Sequence, residues 1–381
     1  MVRTVAASRL TTRQVTLGAY EFRLADASDD ARLRALMRET SLPSWITLSF
    51  EREPSYFAGA GLGGEHHAVI ACDARNGAIA GMCALTFRQG FVNGESATLA
   101  YLGELRISGA ARGKVTLIRA GFAALRRLVA WSAGPCLTSI IEDNLAATRL
   151  LTHGLAGFPH YRRLAGLEVA ALTSRARAAQ LPPGVTVAAA RDEDETAITA
   201  FLTREHRRFQ FAPLWDRAAL QKAPALSTED FILAMAGGEI IGCAALWDQR
   251  GLRQTRVKSY AGSLSHLRPA ANLVLPIAGL PRLPAPGERL EQIFLSHIAV
   301  AGDDEGVFQA LVDHARDDAK RRGADILLLG LCDTHPLAPR LRGLRRAKSY
   351  RSTLYLIRWP DDPDIADQLD GRPPHPELAV L

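Results

Sequence analysis

Apolar and polar positions along the chain follow one order of periods, and that order occurs twice. Tyr20-Glu21-Phe22-Arg23-Leu24 alternates with period two, as a half-buried strand does, and runs into ADASDD, whose carboxylates suit the positive end of a helix dipole. The spacing then predicts a helix over about 29–39 and a loop over 48–57 (LSFEREPSYF). An apolar run at 67–73, the turn Arg75-Asn76-Gly77 and a returning strand at 78–87 read as a hairpin. A strand at 97–107, an amphipathic helix at about 115–130, a strand at 137–141, a helix opening at Asn144 and a strand at 166–172 complete the first series.

The polar, Pro/Gly-bearing stretch SRARAAQLPPG at 174–184 separates it from a second series. There a strand at 185–190 enters RDEDE, and a helix at 193–207 leads to a strand pair at 231–248 turned at Gly237-Gly238. A strand at 292–300, a helix at 305–322, a strand at 326–331, a helix at 336–344 and a strand at 350–359 follow. Two copies of β-α-ββ-β-α-β-α-β account for the chain better than one large domain, although the halves share order more than identity. The expected division is 1–175, 185–360 and a polar tail at 361–381.

Composition fits two globular units: 381 residues, 48% hydrophobic and 23% charged. The net charge of +6 comes from arginines scattered over the length, for which an anionic small molecule is partner enough. The densest cluster, Arg340, Arg342, Arg345, Arg346 and Lys348, reads as the solvated end of a helix, and the absence of a basic stripe interleaved with aromatics argues against nucleic acid. Five widely spaced cysteines read as core thiols of a reducing compartment. With no apolar run of membrane-spanning length and no apolar core in the N-terminal segment, a cytoplasmic protein without a membrane partner is expected. The ten histidines show no ligand spacing, so no metal is expected; His66 and His67 are adjacent and would point to opposite faces of a strand.

The stretch 101–125, YLGELRISGAARGKVTLIRAGFAAL, is a strand that ends in a basic, glycine-containing turn and enters a helix. Unpaired N–H groups and the dipole at such a helix start attract phosphate, Arg112 and Lys114 add charge, and Gly113 permits close approach. ARGKV resembles the pyrophosphate loop of the GCN5-related N-acetyltransferase (GNAT) family, with Arg112 at its first position. Val115 and Leu117 depart from that pattern, standing where the family has small residues. Further on, IIEDNLAA at 140–147 resembles the family's later strand and helix start, where Asn144 and Ala147 match the pantetheine-contact spacing. Taken without the family, Asp143 or Asn144 reads as a helix cap.

The resemblance implies an α/β protein of two GNAT-like domains in tandem, each a mixed, mostly antiparallel central sheet with splayed strands, flanked by helices. It further implies acetyl-CoA, or another acyl-CoA, as co-substrate and an amine of a small molecule or protein as acceptor. Its cofactor positions here are Leu105, Arg106, Ile107, Arg112, Gly113, Lys114, Val115, Asn144 and Ala147, with backbone N–H groups of the 101–107 strand meeting the acyl carbonyl.

A thioester is already reactive, so direct attack needs only a base for the ammonium, donors for the oxyanion and an acid for the thiolate. Glu104 is the candidate base; strict alternation sets it on the side of Leu102 and Arg106, and a salt bridge to an arginine is the alternative reading. The family's acidic tyrosine position holds Leu151, which leaves Tyr161, with His160 equally ambiguous. Glu51, Arg52, Tyr56 and Glu142 are the candidate acceptor-binding residues; otherwise 48–57 is a surface turn anchored by Phe50 and Phe57.

In the second half Asp303, Asp304 and Glu305 follow the strand FLSHIAV, where carboxylates cap a helix and repel pyrophosphate, so a degenerate copy is expected. Trp247, Gln249, Gln254 and Tyr260 alternate along WDQRGLRQTRVKSY and either face the cleft or cover a sheet face. Two other readings stand beside acyl transfer to an amine. Val115, Leu117 and Leu151 suit a catalytically silent CoA-binding or regulatory protein, and the basic pI of 9.2 suits an aminoacyl-tRNA-dependent transferase of related fold.

Overall fold

The computed structural model describes residues 14–42, 45–129, 134–174, 181–344 and 348–381. Its strands are β1 (Gln14–Leu17), β2 (Tyr20–Leu24), β3 (Ser41–Leu42), β4 (Ile46–Glu51), β5 (Glu65–Asp73), β6 (Ile79–Val92), β7 (Glu95–Ile107), β8 (Cys136–Ile141) and β9 (His160–Thr173) in the first half. The second half adds β10 (Val185–Ala189), β11 (Phe231–Ala236), β12 (Glu239–Trp247), β13 (Gln254–Tyr260), β14 (Gln292–Val300), β15 (Ile326–Cys332) and β16 (Lys348–Arg358). The helices are α1 (Asp30–Glu39), α2 (Tyr56–Ala60), α3 (Val115–Leu128), α4 (Leu145–Thr152), α5 (Glu195–His206), α6 (Arg217–Lys222), α7 (Leu264–Val274), α8 (Glu305–Arg321) and α9 (Ala338–Gly343).

One 13-stranded sheet runs through both halves in the order β1-β2-β5-β6-β7-β8-β16-β9-β15-β14-β12-β11-β10. The centre is an exchange. β16, from the end of the second half, lies antiparallel between β8 and β9, while β9, from the end of the first half, pairs with β15. Strands so placed must be apolar on both faces. In β16, Leu354 and Leu356 enter one core and Tyr355 and Ile357 another; in β9, Leu167 and Val169 enter one and Ala170 and Leu172 another.

On the first half's sheet, α3 covers a core of Phe22, Leu85, Leu102, Leu117 and Phe122, while α1 and α2 cover Ile70 and Met82 on the opposite face. In the second half α8 and α5 play the corresponding parts over two further cores. All five cysteines are buried free thiols.

Three expectations change. Residues 48–57 are a loop only at 52–55: β4 runs to Glu51 and α2 starts at Tyr56, because Ile46 to Glu51 alternate as a strand and find a partner far away in β13. β13 therefore leaves the main sheet and, with β3 and β4, forms a small sheet joining the two halves. Its polar residues tie chain to chain rather than lining a cleft. The Gln254 side chain accepts from the Glu53 N–H and donates to the Glu53 carbonyl, both at 2.9 Å, and Tyr260 donates to the Pro284 carbonyl at 2.7 Å. Finally, 361–381 is no polar tail: Leu378, Ala379 and Val380 are buried, and Leu378 packs with Leu328, Leu354 and Leu356 on the central strands. The stretch 175–180 and Arg345 and Arg346 lie outside the described residues.

Residues 1–175 expressed alone lack β16 and expose β8 and the inner faces of β9. We expect that fragment to show no cooperative thermal transition by circular dichroism, and co-expression with 181–381 to restore one.

Candidate active site

β7 and β8 run parallel but pair only at Ala100 with Cys136 and Tyr101 with Leu137, after which they part. The β8 edge away from β7 is held by β16 from Cys136 to Ile141, so the opening lies wholly on the β7 side. Beyond Tyr101 the backbone of β7 that faces the gap is free of its parallel neighbour.

Here β7 is bulged. Gly103 pairs with Ala84 and Arg106 with Met82, so three steps on β7 answer two on β6, and Glu104 sits at φ +54°. The extra residue breaks alternation. Leu102, Leu105 and Ile107 all turn to the α3 face, whereas Glu104 turns to the α1/α2 face. The expected grouping of Glu104 with Leu102 is thus corrected by the bulge. An apolar cavity lies beside it, between sheet and α3, walled by Phe22, Val69, Leu105, Ile107, Leu117 and Phe122.

The Glu104 carboxylate is held from several sides. Arg52 donates to Oε1, the Tyr56 hydroxyl donates to Oε2 at 2.6 Å, and His66 Nε2 lies 3.0 Å from that hydroxyl. His66 Nδ1 is 2.9 Å from the Thr86 hydroxyl. Burial pushes the Glu104 pKa up, but the charge of Arg52 and the other donors outweigh it, and the carboxyl lies below its ordinary range. Burial takes His66 down to about 4, so its ring is neutral near neutrality and serves as a hydrogen-bond link. Around them lie Arg106 and Arg253, both also lowered by burial, the latter to about 10. Arg52 Nη1 and Arg106 Nε are buried without a partner in the structure, so the cluster carries spare donors and an excess of positive charge.

β7 leads into the turn Gly109–Ala111 and then to Arg112, Gly113 at φ +82° and Lys114, which starts α3 without a side-chain cap. Arg112 and Lys114 are exposed. The left-handed residue is Gly113 rather than Val115, so the β-branched side chain meets no steric objection there; Val115 and Leu117 both turn into the core. On the far side of the gap Asn144 caps α4, its side chain accepting from the Ala147 N–H at 3.2 Å. Glu142 sits near it at the end of β8, its N–H bonded to the Arg351 carbonyl at 2.9 Å.

The second half repeats this frame with the gap filled. Ser296 pairs with Ala245 and Ala299 with Cys243, giving the same bulge with His297 at φ +54°. β14 and β15 pair at three positions, Gln292 to Phe294, and then part. Into that parting goes the end of the chain: Glu377 Oε2 accepts the His297 N–H at 2.7 Å, and Leu378 lies against Gly330 of β15. The start of α8 is capped by Asp304, which accepts the Val307 N–H at 2.8 Å, and Asp303 pairs with Arg208. Among the described residues, the first half has neither a carboxylate cap at this helix start nor a chain end bonded at its bulge.

Solved structures similar to this chain include GCN5-related N-acetyltransferases and N-myristoyltransferases. A GCN5-related N-acetyltransferase from Sphaerobacter thermophilus matches over 92% of this chain and 99% of its own at 16% identity, with a TM-score of 0.53. Saccharomyces cerevisiae N-myristoyltransferase with bound myristoyl-CoA matches over 92% of this chain and 82% of its own at 11% identity, with a TM-score of 0.59. The chain has the tandem GNAT fold. At the level of sequence, neither a protein-family model nor a curated protein matches it.

Within the GNAT frame the structure gathers Glu104, Arg52 and Tyr56, and lines Leu105, Arg106, Ile107, Arg112, Gly113 and Lys114 along one path from bulge to helix. It does not bring Tyr161 to Glu104. Tyr161 packs against Tyr355 and the α3-side core, on the opposite face, where burial raises its pKa. Glu51 is likewise withdrawn: it is buried, with Ser49 donating to it at 2.6 Å and Arg256 and Lys258 within 3.2 Å and 3.1 Å. His66 and Thr86 were missed, since a lone histidine and a threonine in neighbouring strands carry no local signal. Their pairing appears only in the β5–β6 register. Among the described residues no cluster of metal-ligating side chains occurs.

Five histidines are buried with lowered pKa values: His66 to about 4, His335 to about 3, and His206, His297 and His375 lowered too, burial being the first cause in each. The unfolded chain takes up protons near its ordinary 6.5 that the folded chain refuses. Stability is therefore full above that value and falls as pH drops toward about 4, with a slope of roughly 1.4 kcal/mol per pH unit for each such histidine. Urea denaturation at a series of pH values reads this directly, and His335→Gln should flatten the slope.

Proposed function

We propose that the chain is an acyl-CoA-dependent N-acyltransferase that moves an acetyl group from acetyl-CoA to a primary amine of a small molecule or protein by direct attack. The observation that supports this most is the accessible parting of β7 from β8 over the Glu104 bulge, continuous with an uncapped helix start flanked by Arg112 and Lys114. Backbone N–H groups at a helix start with two exposed cations suit a pyrophosphate. The unpaired edge at Leu105–Ile107 supplies donors toward a developing oxyanion. The apolar cavity beside Leu105 and Ile107 suits a small acyl group.

The acceptor would approach from the side of Arg52, Tyr56 and Glu104. The surplus of guanidinium groups lowers the pKa of an incoming ammonium and favours the free amine, the ionised Glu104 carboxylate receives the proton, and as the C–N bond forms the thioester C–S bond breaks and CoA leaves as a thiolate that takes its proton from solvent. Glu142 stands at the rim. Buried free thiols fit a reducing compartment and so a cytoplasmic setting, and none of the described helices is long and apolar enough to cross a membrane.

A second reading, CoA binding without turnover, draws on the pinning of Glu104 by Arg52 and Tyr56 and on Leu151, buried in the core where an acid would stand.

Calorimetric titration with acetyl-CoA and with CoA should show binding that Arg112→Glu weakens by tenfold or more, on the order of the loss of one charge-assisted contact. No binding to the intact protein would sink the reading. With a turnover assay over a panel of amines, Glu104→Gln should lower kcat by ~10²-fold and leave the acetyl-CoA affinity unchanged. Binding with no turnover on any amine moves the conclusion to the second reading.

A further inference from the structure

The acceptor side of the cleft holds more positive charge than its own carboxylate answers. Arg52, 8% exposed, has its guanidinium 5.1 Å from the centre of the Tyr56 ring and donates through Nη2 to Glu104, while its Nη1 has no partner. Past the bulge, Arg106 turns to the same face. Leu105 and Ile107 on either side of it turn to the α3 face, and its charge interacts with Glu104, Arg52, Tyr56 and Tyr101. Arg106 donates through Nη1 to the Leu105 carbonyl at 3.2 Å, and its Nε has no partner. Tyr101, Glu104 and Arg106 are half-buried rather than sealed, so the cluster opens to the cleft.

The neighbouring carboxylates are engaged elsewhere. Glu51 pairs with Arg256 and Lys258, Glu53 with Arg34 and Arg38, and Glu377 accepts the N–H groups of His297 and Ala379. His66 carries no charge near neutrality. Arg88 and Arg253, at the border of the cluster, are turned to the last residues, Arg88 to the Val380 carbonyl at 3.0 Å and Arg253 to that of Leu381 at 3.2 Å. Among the described residues, Glu104 is thus the one carboxylate set against Arg52 and Arg106, which leaves a surplus of one positive charge.

A buried guanidinium N–H left unpaired is costly, and two of them beside an unanswered charge fit an anion brought in with the acceptor. The orphan atoms are covered, but Arg106 is half-buried, and an anion entering on its open side recruits them by a turn of the guanidinium. A surplus of one charge matches a carboxylate; a phosphate dianion exceeds it, and a polyamine adds cation to cation. Arg52 sets the spacing. One Nη of its planar fork holds Glu104 and the other is free, so a group bound at the free end lies within a few bonds of a group bound at Glu104. An ammonium and a carboxylate so spaced belong to one amino acid.

We infer that the acceptor is a free amino acid, its carboxylate held by Arg106 and the free end of Arg52 while its amine faces Glu104 and the thioester. This rests on the acyl-transfer reading. The amine proton goes to Glu104, the C–N bond forms as the C–S bond breaks, and the products are the N-acetyl amino acid and CoA, its thiolate protonated from solvent. The test uses the full chain with acetyl-CoA and the standard L-amino acids and β-alanine, each against its own carboxamide, with thermal melting in the same compounds. We expect kcat/KM for the best acid to exceed that of its carboxamide tenfold or more. Arg106→Gln should bring that ratio close to one through KM, and Arg106→Lys should restore part of it. Equal or faster turnover of the carboxamides overturns the proposal, as does a ratio that Arg106→Gln leaves in place; if that variant does not fold, the parent and Arg106→Lys decide. No turnover of either series sinks the acyl-transfer reading and leaves the anion site to the melting curves. There, stabilisation of the parent by an acid and not by its carboxamide upholds the site, and its absence overturns it.

Discussion

β16 holds β8 along its whole length, and this is what frees the other edge of β8 to part from β7. A strand anchored on neither side would collapse onto its neighbour to satisfy its backbone groups. With β8 fixed by a strand from the far end of the chain, two pairs at Ala100 and Tyr101 suffice to set the angle, and the gap stays open beyond them. The bulge at Glu104 then bends β7 at the mouth of the gap and reverses its side-chain order. The gap is thus a consequence of a pairing with a strand far away in sequence, while the bulge and the helix start are set locally, in β7 and in the turn after it.

The same decision makes the halves unequal. Both carry the bulge and the parting of parallel strands, but in the second the chain's last residues lie in the parting and Glu377 takes the His297 N–H. Burial raises the Glu377 pKa, and Arg88 and Arg253 lie close enough to oppose that rise. Arg253 also bonds to the carbonyls of Ala379 and Leu381, so the closing segment of one half reaches the margin of the cleft in the other. Duplication thus supplies two frames of which one is used as a socket.

Within the cleft, electrostatics and burial pull against each other. Glu104 stays ionised although buried because Arg52, Tyr56 and the arginines nearby outweigh the desolvation; His66 stays neutral because burial outweighs Glu104. A carboxylate and a neutral imidazole joined through a phenol hydroxyl form a rigid link, and its geometry depends on β4 and α2 being pinned by β13.

The sequence by itself determined much of the element order, though not β1, β3, β4, α2, α6 or α7, together with its repetition in two halves, the strand-to-helix turn at Arg112–Lys114 and the carboxylates at the equivalent turn, Asp303–Asp304. Each is written in neighbouring residues, through period, dipole and charge. It also contained Glu104, Arg52 and Tyr56 as candidates, because charged groups near a strand and a turn are conspicuous locally. Tertiary structure alone decided that β9 and β16 change places, that strand and helix take both ends of 48–57, that the final residues are buried, and that Tyr161 and Glu104 lie on opposite faces. It also brought His66 and Thr86 to the carboxylate. Those outcomes depend on which distant edge pairs with which, and on one inserted residue in β7 that shifts every later side chain to the other face; period-two reading carries no information about either.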